Sequence, residues 1–302
     1  MNKLAISVAA ALSAGVALAA EEPKIPVSVE AGLNFDSKFM SYGLVDNKDP
    51  ILTPSAAIGF CDWVKVGVEA LFDVTKYGKR WRGANYGNRA GRYQELDPSI
   101  AVGHKFSHDE YSWVPELVGS FKFELSYMYE YHPRSMGKYN KYEGESAKLD
   151  TQFVTLGLGL PDLWLEPSVE IERDIDRDNG TYVNVEIGHA FALVEGEGED
   201  ADPVLEFRPS VGQGFGNRQR VGGYLSNPAT EEALYHAGFM DTCVKGELTW
   251  RLCDNVSVSG YVAYYDYALD RNMRHAARGY EALGRDDTSY HFVAGCGLAL
   301  EF

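Results

Sequence analysis

Between residues 117 and 131 apolar and polar residues alternate with a period of two. Leu117, Gly119, Phe121, Phe123, Leu125, Tyr127, Tyr129 and Tyr131 fall on one set of positions. Lys122, Glu124, Ser126, Met128 and Glu130 fall on the other. Successive side chains of a strand point to opposite faces, so this ribbon has one greasy face and one charged face. A soluble sheet buries the greasy face in a dry core. A transmembrane barrel turns it toward lipid and keeps the polar face for the lumen. One ribbon fits both arrangements, and the rest of the chain decides between them.

The same alternation recurs along the chain. It predicts strands at 25–36, 52–60, 64–74, 96–106, 116–131, 151–160, 163–174, 181–193, 204–215, 241–252, 256–268 and 289–302. The connections at 61–63, 107–110, 161–162, 194–203 and 253–255 form one set. Those at 37–51, 75–95, 132–150, 175–180, 216–240 and 269–288 form the other and are mostly longer. An even number of strands with short turns on one side and longer loops on the other suits an outer-membrane barrel. A β-sandwich has Greek-key crossovers that break such up-and-down order. The expected fold is therefore all-β: a transmembrane antiparallel up-and-down β-barrel of about twelve strands.

The N-terminus fits that destination. Lys3 precedes an apolar run, and Ala17-Leu18-Ala19 has the small-x-small form of a secretory cleavage site. Residues 1–19 are read as a signal peptide and 20–302 as the barrel domain. No other apolar run is long enough for a membrane-spanning helix, so a membrane crossing falls to strands. The chain carries 44 acidic against 28 basic residues, a formal net charge of −16. That balance argues against nucleic acid as a partner.

Two local resemblances support the same fold. The C-terminal strand carries Tyr290, Phe292, Ala294, Cys296, Leu298 and Leu300 on one face and ends in Phe302. It resembles the last strand of bacterial outer-membrane proteins, where a terminal aromatic residue is an assembly signal. The resemblance implies outer-membrane lipid and lipopolysaccharide as surroundings and the barrel-assembly machinery as a partner. Ser37, Lys38, Phe39, Gly43 and Pro54 stand where uncharacterised, porin-like outer-membrane barrels carry a Ser-Lys-aromatic…Gly segment and a Pro-containing return strand. That likeness spans residues 27–75 and implies location and fold, with no activity attached.

With the greasy face outward, the other face reads as a lumen. Candidate solute-lining residues are Glu69, Asp73, Lys122, Glu124, Glu170, Glu172, Glu186, Arg208, Lys245, Glu247 and Arg251. Acids outnumber bases over this face, which favours cations over anions in a narrow path. The alternative is a hydrogen-bonded network filling a closed barrel, since twelve strands lie between filled small barrels and open large ones. The loop at 75–93 holds Lys79, Arg80, Arg82, Arg89 and Arg92 among aromatic residues and has no acid. It is expected to fold inward and neutralise lumen carboxylates. Gripping phosphate or carboxylate groups, as on lipopolysaccharide, is the other reading. Residues 271–283 have helical character and suit a short plug or a cap.

Cys61, Cys243, Cys253 and Cys296 suggest no obvious pairing and match no zinc spacing. They are expected as buried or semi-buried free thiols, and no metal or cofactor is implied. The seven histidines are scattered, and neither G-x-S-x-G nor H-E-x-x-H occurs. The Ser and His motif of the twelve-stranded outer-membrane phospholipases has no match here. His291, on the lumen face, reads as structural. The expectation is a non-enzymatic outer-membrane barrel that passes or binds small solutes with a cation preference. The competing readings are a closed barrel acting through its loops, including 216–240, and a lipid-modifying enzyme.

Overall fold

The computed structural model describes residues 26–47, 49–74, 79–81, 84–85, 93–132, 150–196, 202–225, 233–278 and 289–302. The expected signal peptide lies outside them, as do Arg82, Arg89 and Arg92. Lys79 and Arg80 are described by backbone alone. In chain order the first strands are β1 (Val27–Asp36), β2 (Phe39–Ser41), β3 (Leu44–Asn47), β4 (Ile51–Phe60) and β5 (Val64–Asp73). Then come β6 (Lys79–Trp81), β7 (Ala84–Asn85), β8 (Tyr93–Ser107), β9 (Ser120–Glu130) and β10 (Thr151–Gly159). β11 (Ser168–Asp174), β12 (Thr181–Gly188), β13 (Phe191–Val194) and β14 (Leu205–Gly216) precede helix α1 (Arg218–Tyr224). The chain ends with β15 (Gly238–Cys253), β16 (Val256–Asp266), helix α2 (Arg271–Arg278) and β17 (Tyr290–Glu301).

Neighbours pair antiparallel in the order β12-β11-β10-β9-β8-β5-β4-β1-β17-β16-β15-β14, and β12 pairs β14 to close the ring. The first and last strands meet with Glu30 opposite Glu301 and Asp36 opposite Gly295. β13 continues β12 along the same partner, so the two share one of twelve staves. Closure leaves no strand edge bare, which a lipid core requires.

The orientation of the alternation follows from exposure. Val244, Trp250, Val262 and Phe292 are 47%, 54%, 59% and 60% exposed, although a dry core would hide them. Aromatic groups collect near both rims. Tyr264 lies 5.1 Å from Phe292 on the long-loop side, and Trp63, Phe106 and Trp113 cluster on the short-turn side. An apolar band between aromatic girdles around a polar interior is the exterior of an outer-membrane barrel, and it sets this chain in that membrane. Val262→Arg on β16 is therefore expected to cost about 2–4 kcal/mol of folding stability in bilayers. Urea unfolding in lipid vesicles measures it, and an unchanged midpoint would contradict a lipid-facing Val262.

Three stretches differ from the sequence reading. The strand expected from residue 116 begins at Ser120, and the preceding connection runs from residue 108 to 119. Pro115 has no amide to give a ladder, Gly119 sits at φ +71°, and Val114 and Gly119 donate to Tyr111 and Glu116 carbonyls in successive turns. Leu117 is 89% exposed there, so its place in the alternation was coincidental. β11 starts at Ser168 because residues 161–167 form turns, with Glu166 at φ +40°. The strand expected at 181–193 breaks at His189 and Ala190, where the Ala190 amide donates to a Glu166 carboxylate at 2.9 Å. Helix α2 agrees with the first part of the expected helical stretch, and residues 279–283 lie outside the described residues.

The cysteines are free as expected, but Cys61, Cys253 and Cys296 are exposed and only Cys243 is partly buried. Outward-facing positions on a barrel wall are accessible, which alternation alone does not convey.

Candidate functional site: the barrel interior

The largest dry cluster lies inside the long-loop end of the barrel. Leu44, Tyr182, Val221, Leu225, Met240, Tyr267, Met273, Ala276 and Ala277 pack together there. Three connections supply it: the β2–β3 hairpin, α1, and α2, whose buried face is Met273, Ala276 and Ala277. Asn217 caps α1 by accepting from the Arg220 amide, and it also accepts from Thr181 on the wall at 3.0 Å. Gly180 lets the 175–180 loop touch α1, since a Cβ there would lie 2.6 Å from the Arg220 Cα. Gly43, at φ +75°, similarly admits the β2–β3 turn against Asp241.

Arg220 ties this plug to the wall. Its side chain is fully buried, at 0% exposure. The guanidinium donates to Tyr42 Oη at 2.9 Å and Glu172 Oε1 at 3.2 Å, with Asp178 Oδ2 at 3.4 Å. It also lies 4.5 Å from the centre of the Tyr42 ring. Burial holds the Tyr42 phenol well above its ordinary value, so the hydroxyl keeps its proton and donates to Glu172 at 2.5 Å. Burial also raises the Asp178 carboxyl, while Arg220 beside it pulls the other way. Tyr182 donates to Asp241 at 2.8 Å, and Arg274 and Ser289 both donate to Asp266. Several long-loop connections are thus pinned by charged or phenolic contacts to inward wall residues.

The basic residues predicted for the lumen sort by height. Lys65, Lys105, Lys122, Arg208 and Arg251 all sit near the short-turn ends of their strands. Lys65 pairs with Glu30 at 2.7 Å, Lys105 with Asp162 at 3.3 Å, and Arg251 with Asp202. Arg208 bridges Glu166 and Glu186, each at 3.2 Å. Lys245, higher up, is held by Glu247 at 2.7 Å. Lys122 stands opposite Lys105 and is exposed.

The carboxylates form two inward groups. Glu124 and Glu170 face each other across Gly157, which lies between them on β10, and both are exposed although they point into the barrel. Inward and exposed together mean water in this half of the lumen. Among the described residues neither carries an ion pair, and Glu186 lies beside Glu170. Higher on the neighbouring strands, Glu69 on β5 stands opposite Asp97 on β8. Asp73, at 5% exposure, closes the top of β5. Glu172 is drawn into the Arg220 contacts and is no part of a free acidic row.

Sequence reasoning missed Arg220, Tyr42, Asp178 and Asp241. The segment N-R-Q-R-V-G-G-Y at 217–224 has an Asn cap and two glycines, but nothing in it says that the loop turns inward. The competing reading gives the 216–240 connection a structural or surface-recognition role, and its helix α1 packs inside the barrel. The inward fold expected of 75–93 falls outside the described residues except for β6 and β7, a local pair.

No protein-family model and no curated protein sequence matches the chain. Among solved structures, the NanC porin is 9% identical with a TM-score of 0.44, covering 91% of this chain and 99% of its own. An outer membrane channel from Pseudomonas putida F1 is 7% identical with a TM-score of 0.44, covering 93% and 97%. LpxR from Salmonella typhimurium is 9% identical with a TM-score of 0.43, covering 90% and 99%. Likenesses this distant carry no argument about this chain.

Proposed function

We propose that this barrel is a passive, cation-leaning path or binding vestibule for small solutes in the outer membrane of a Gram-negative-type bacterium. The observation that carries the reading is the inward, exposed pair Glu124 and Glu170, neither of which has an ion pair among the described residues. Of the bases at the short-turn end, Lys65, Lys105, Arg208 and Arg251 are spent on partners of their own, and Lys122, two residues from Glu124 on the same face, offsets one of the two carboxylates, so the group stays net negative. Fixed negative charge in a water-filled passage concentrates cations and repels anions. The packed long-loop half favours a second reading, a barrel closed at that mouth.

Reconstitution in a planar bilayer under a salt gradient tests both. The expected outcome is a small conductance with a reversal potential on the cation side. Anion selectivity would overturn the first reading. Silence in both the native barrel and a variant with a loosened plug would favour the second.

A further inference from the structure

Where β8 and β9 run out at the long-loop rim, Leu96 and Tyr131 exchange backbone hydrogen bonds of 3.0 and 2.9 Å. That bridge fixes the register of the inward residues beside it. Glu95 comes opposite His132 and Asp97 opposite Glu130, four inward side chains on two adjacent strands. One donor atom from each of Glu95, Glu130 and His132 lies within 4.8 Å of the other two. His132 Nε2 is 2.6 Å from Glu130 Oε1, and its Nδ1 is 3.7 Å from Glu95 Oε2. The His132 amide donates to Asp150 Oδ1 at 2.9 Å, which holds the residue in place from the next strand's entrance.

A separate observation marks the spot as built for more than these contacts. Asp97 is 6% exposed, and its Oδ1 is buried against the neighbouring carboxylates with no N–H or cation to accept from among the described residues. It lies between Glu95 and Glu130, with Glu69 opposite on β5. A buried carboxylate oxygen left without a donor is costly, and a bound cation relieves that cost. Arg177 approaches Glu130 from the 175–180 loop, and among the described residues Glu69, Glu95, Asp97 and Glu130 gather beside it and His132.

We infer that Glu95, Glu130 and His132 form a divalent transition-metal site at the long-loop rim, with Asp97 and Asp150 as its supporting acids. One imidazole and two carboxylates suit zinc or a similar ion, whereas an all-oxygen cage would suit calcium or magnesium. The inference does not depend on whether the barrel conducts, because it concerns equilibrium binding at the rim.

The test is titration of Zn2+ into the untagged, chelator-treated barrel in detergent, followed by calorimetry. The expected result is one ion per chain, with affinity falling at least about tenfold in His132→Ala and again in Glu95→Gln. His108→Ala, in the short-turn connection on the far side, should bind as the native protein does. Heat-modifiable migration on gels confirms that each variant is folded, and Glu95→Gln keeps the test alive if His132→Ala fails there. Absence of binding, affinities unchanged in both site variants, or equal competition by Mg2+ would overturn the site.

Discussion

Arg220→Ala is expected to open the long-loop half of the barrel while leaving the wall intact. The substitution removes a fully buried guanidinium and leaves Glu172 and Asp178 facing each other without it. Breaking a buried pair by deleting one partner costs about 3–5 kcal/mol, because the remaining charge stays desolvated. The plug can escape that cost by moving out, since α1 is held by side-chain contacts and the wall by a closed backbone ladder. In single-channel recordings the conductance should rise several-fold and become noisier, with heat-modifiable migration retained. Arg220→Lys should sit between, because an ammonium keeps the charge but cannot donate to Tyr42 and Glu172 as a planar fork. A native-like conductance in Arg220→Ala would show that the plug is held by its apolar packing alone.

Reversing the free carboxylates should reverse the ion preference. A unit charge roughly 7 Å from a passing ion in water is worth about 0.6 kcal/mol, or a factor of about three in occupancy. Glu170→Lys changes the local charge by two units, and Glu124→Lys does the same on the other side of β10. The double variant, four units of charge in all, is expected to lower the cation-to-anion permeability ratio by roughly fifty-fold at low salt, and by less at high salt as screening sets in. Both residues are exposed and lack an ion partner among the described residues, so folding should be little affected. The same exchange at Glu172 would not be comparable, because Glu172 holds Arg220. A reversal potential that ignores the double variant would move the selective region elsewhere or remove it.

Legibility was high wherever a feature depends on a period of two. The alternation through Phe121, Phe123, Leu125 and Tyr127 assigns faces residue by residue, and the exposures of Val262 and Phe292 agree with it. It failed where backbone chemistry overrides pattern. Leu117 and Gly119 sit in phase with β9, yet Pro115 and the positive φ of Gly119 hold them in turns. The list of lumen charges was read as a count of acids against bases. Which of them are neutralised depends on height along the barrel and on what the loops bring in, and neither appears in a linear tally.

The sequence by itself determined the barrel, its strand count within the error of a few turns, and which face of each strand meets lipid. These follow from local alternation, because each strand must satisfy its own two-sided environment. Only the tertiary structure decided that three connections pack inside the long-loop end, that Arg220 holds them, and that Glu95 and His132 meet across two strands. Those contacts join residues such as Tyr42, Glu172 and Arg220, which are far apart in the chain. Ring closure brings them together, and no periodicity encodes the meeting.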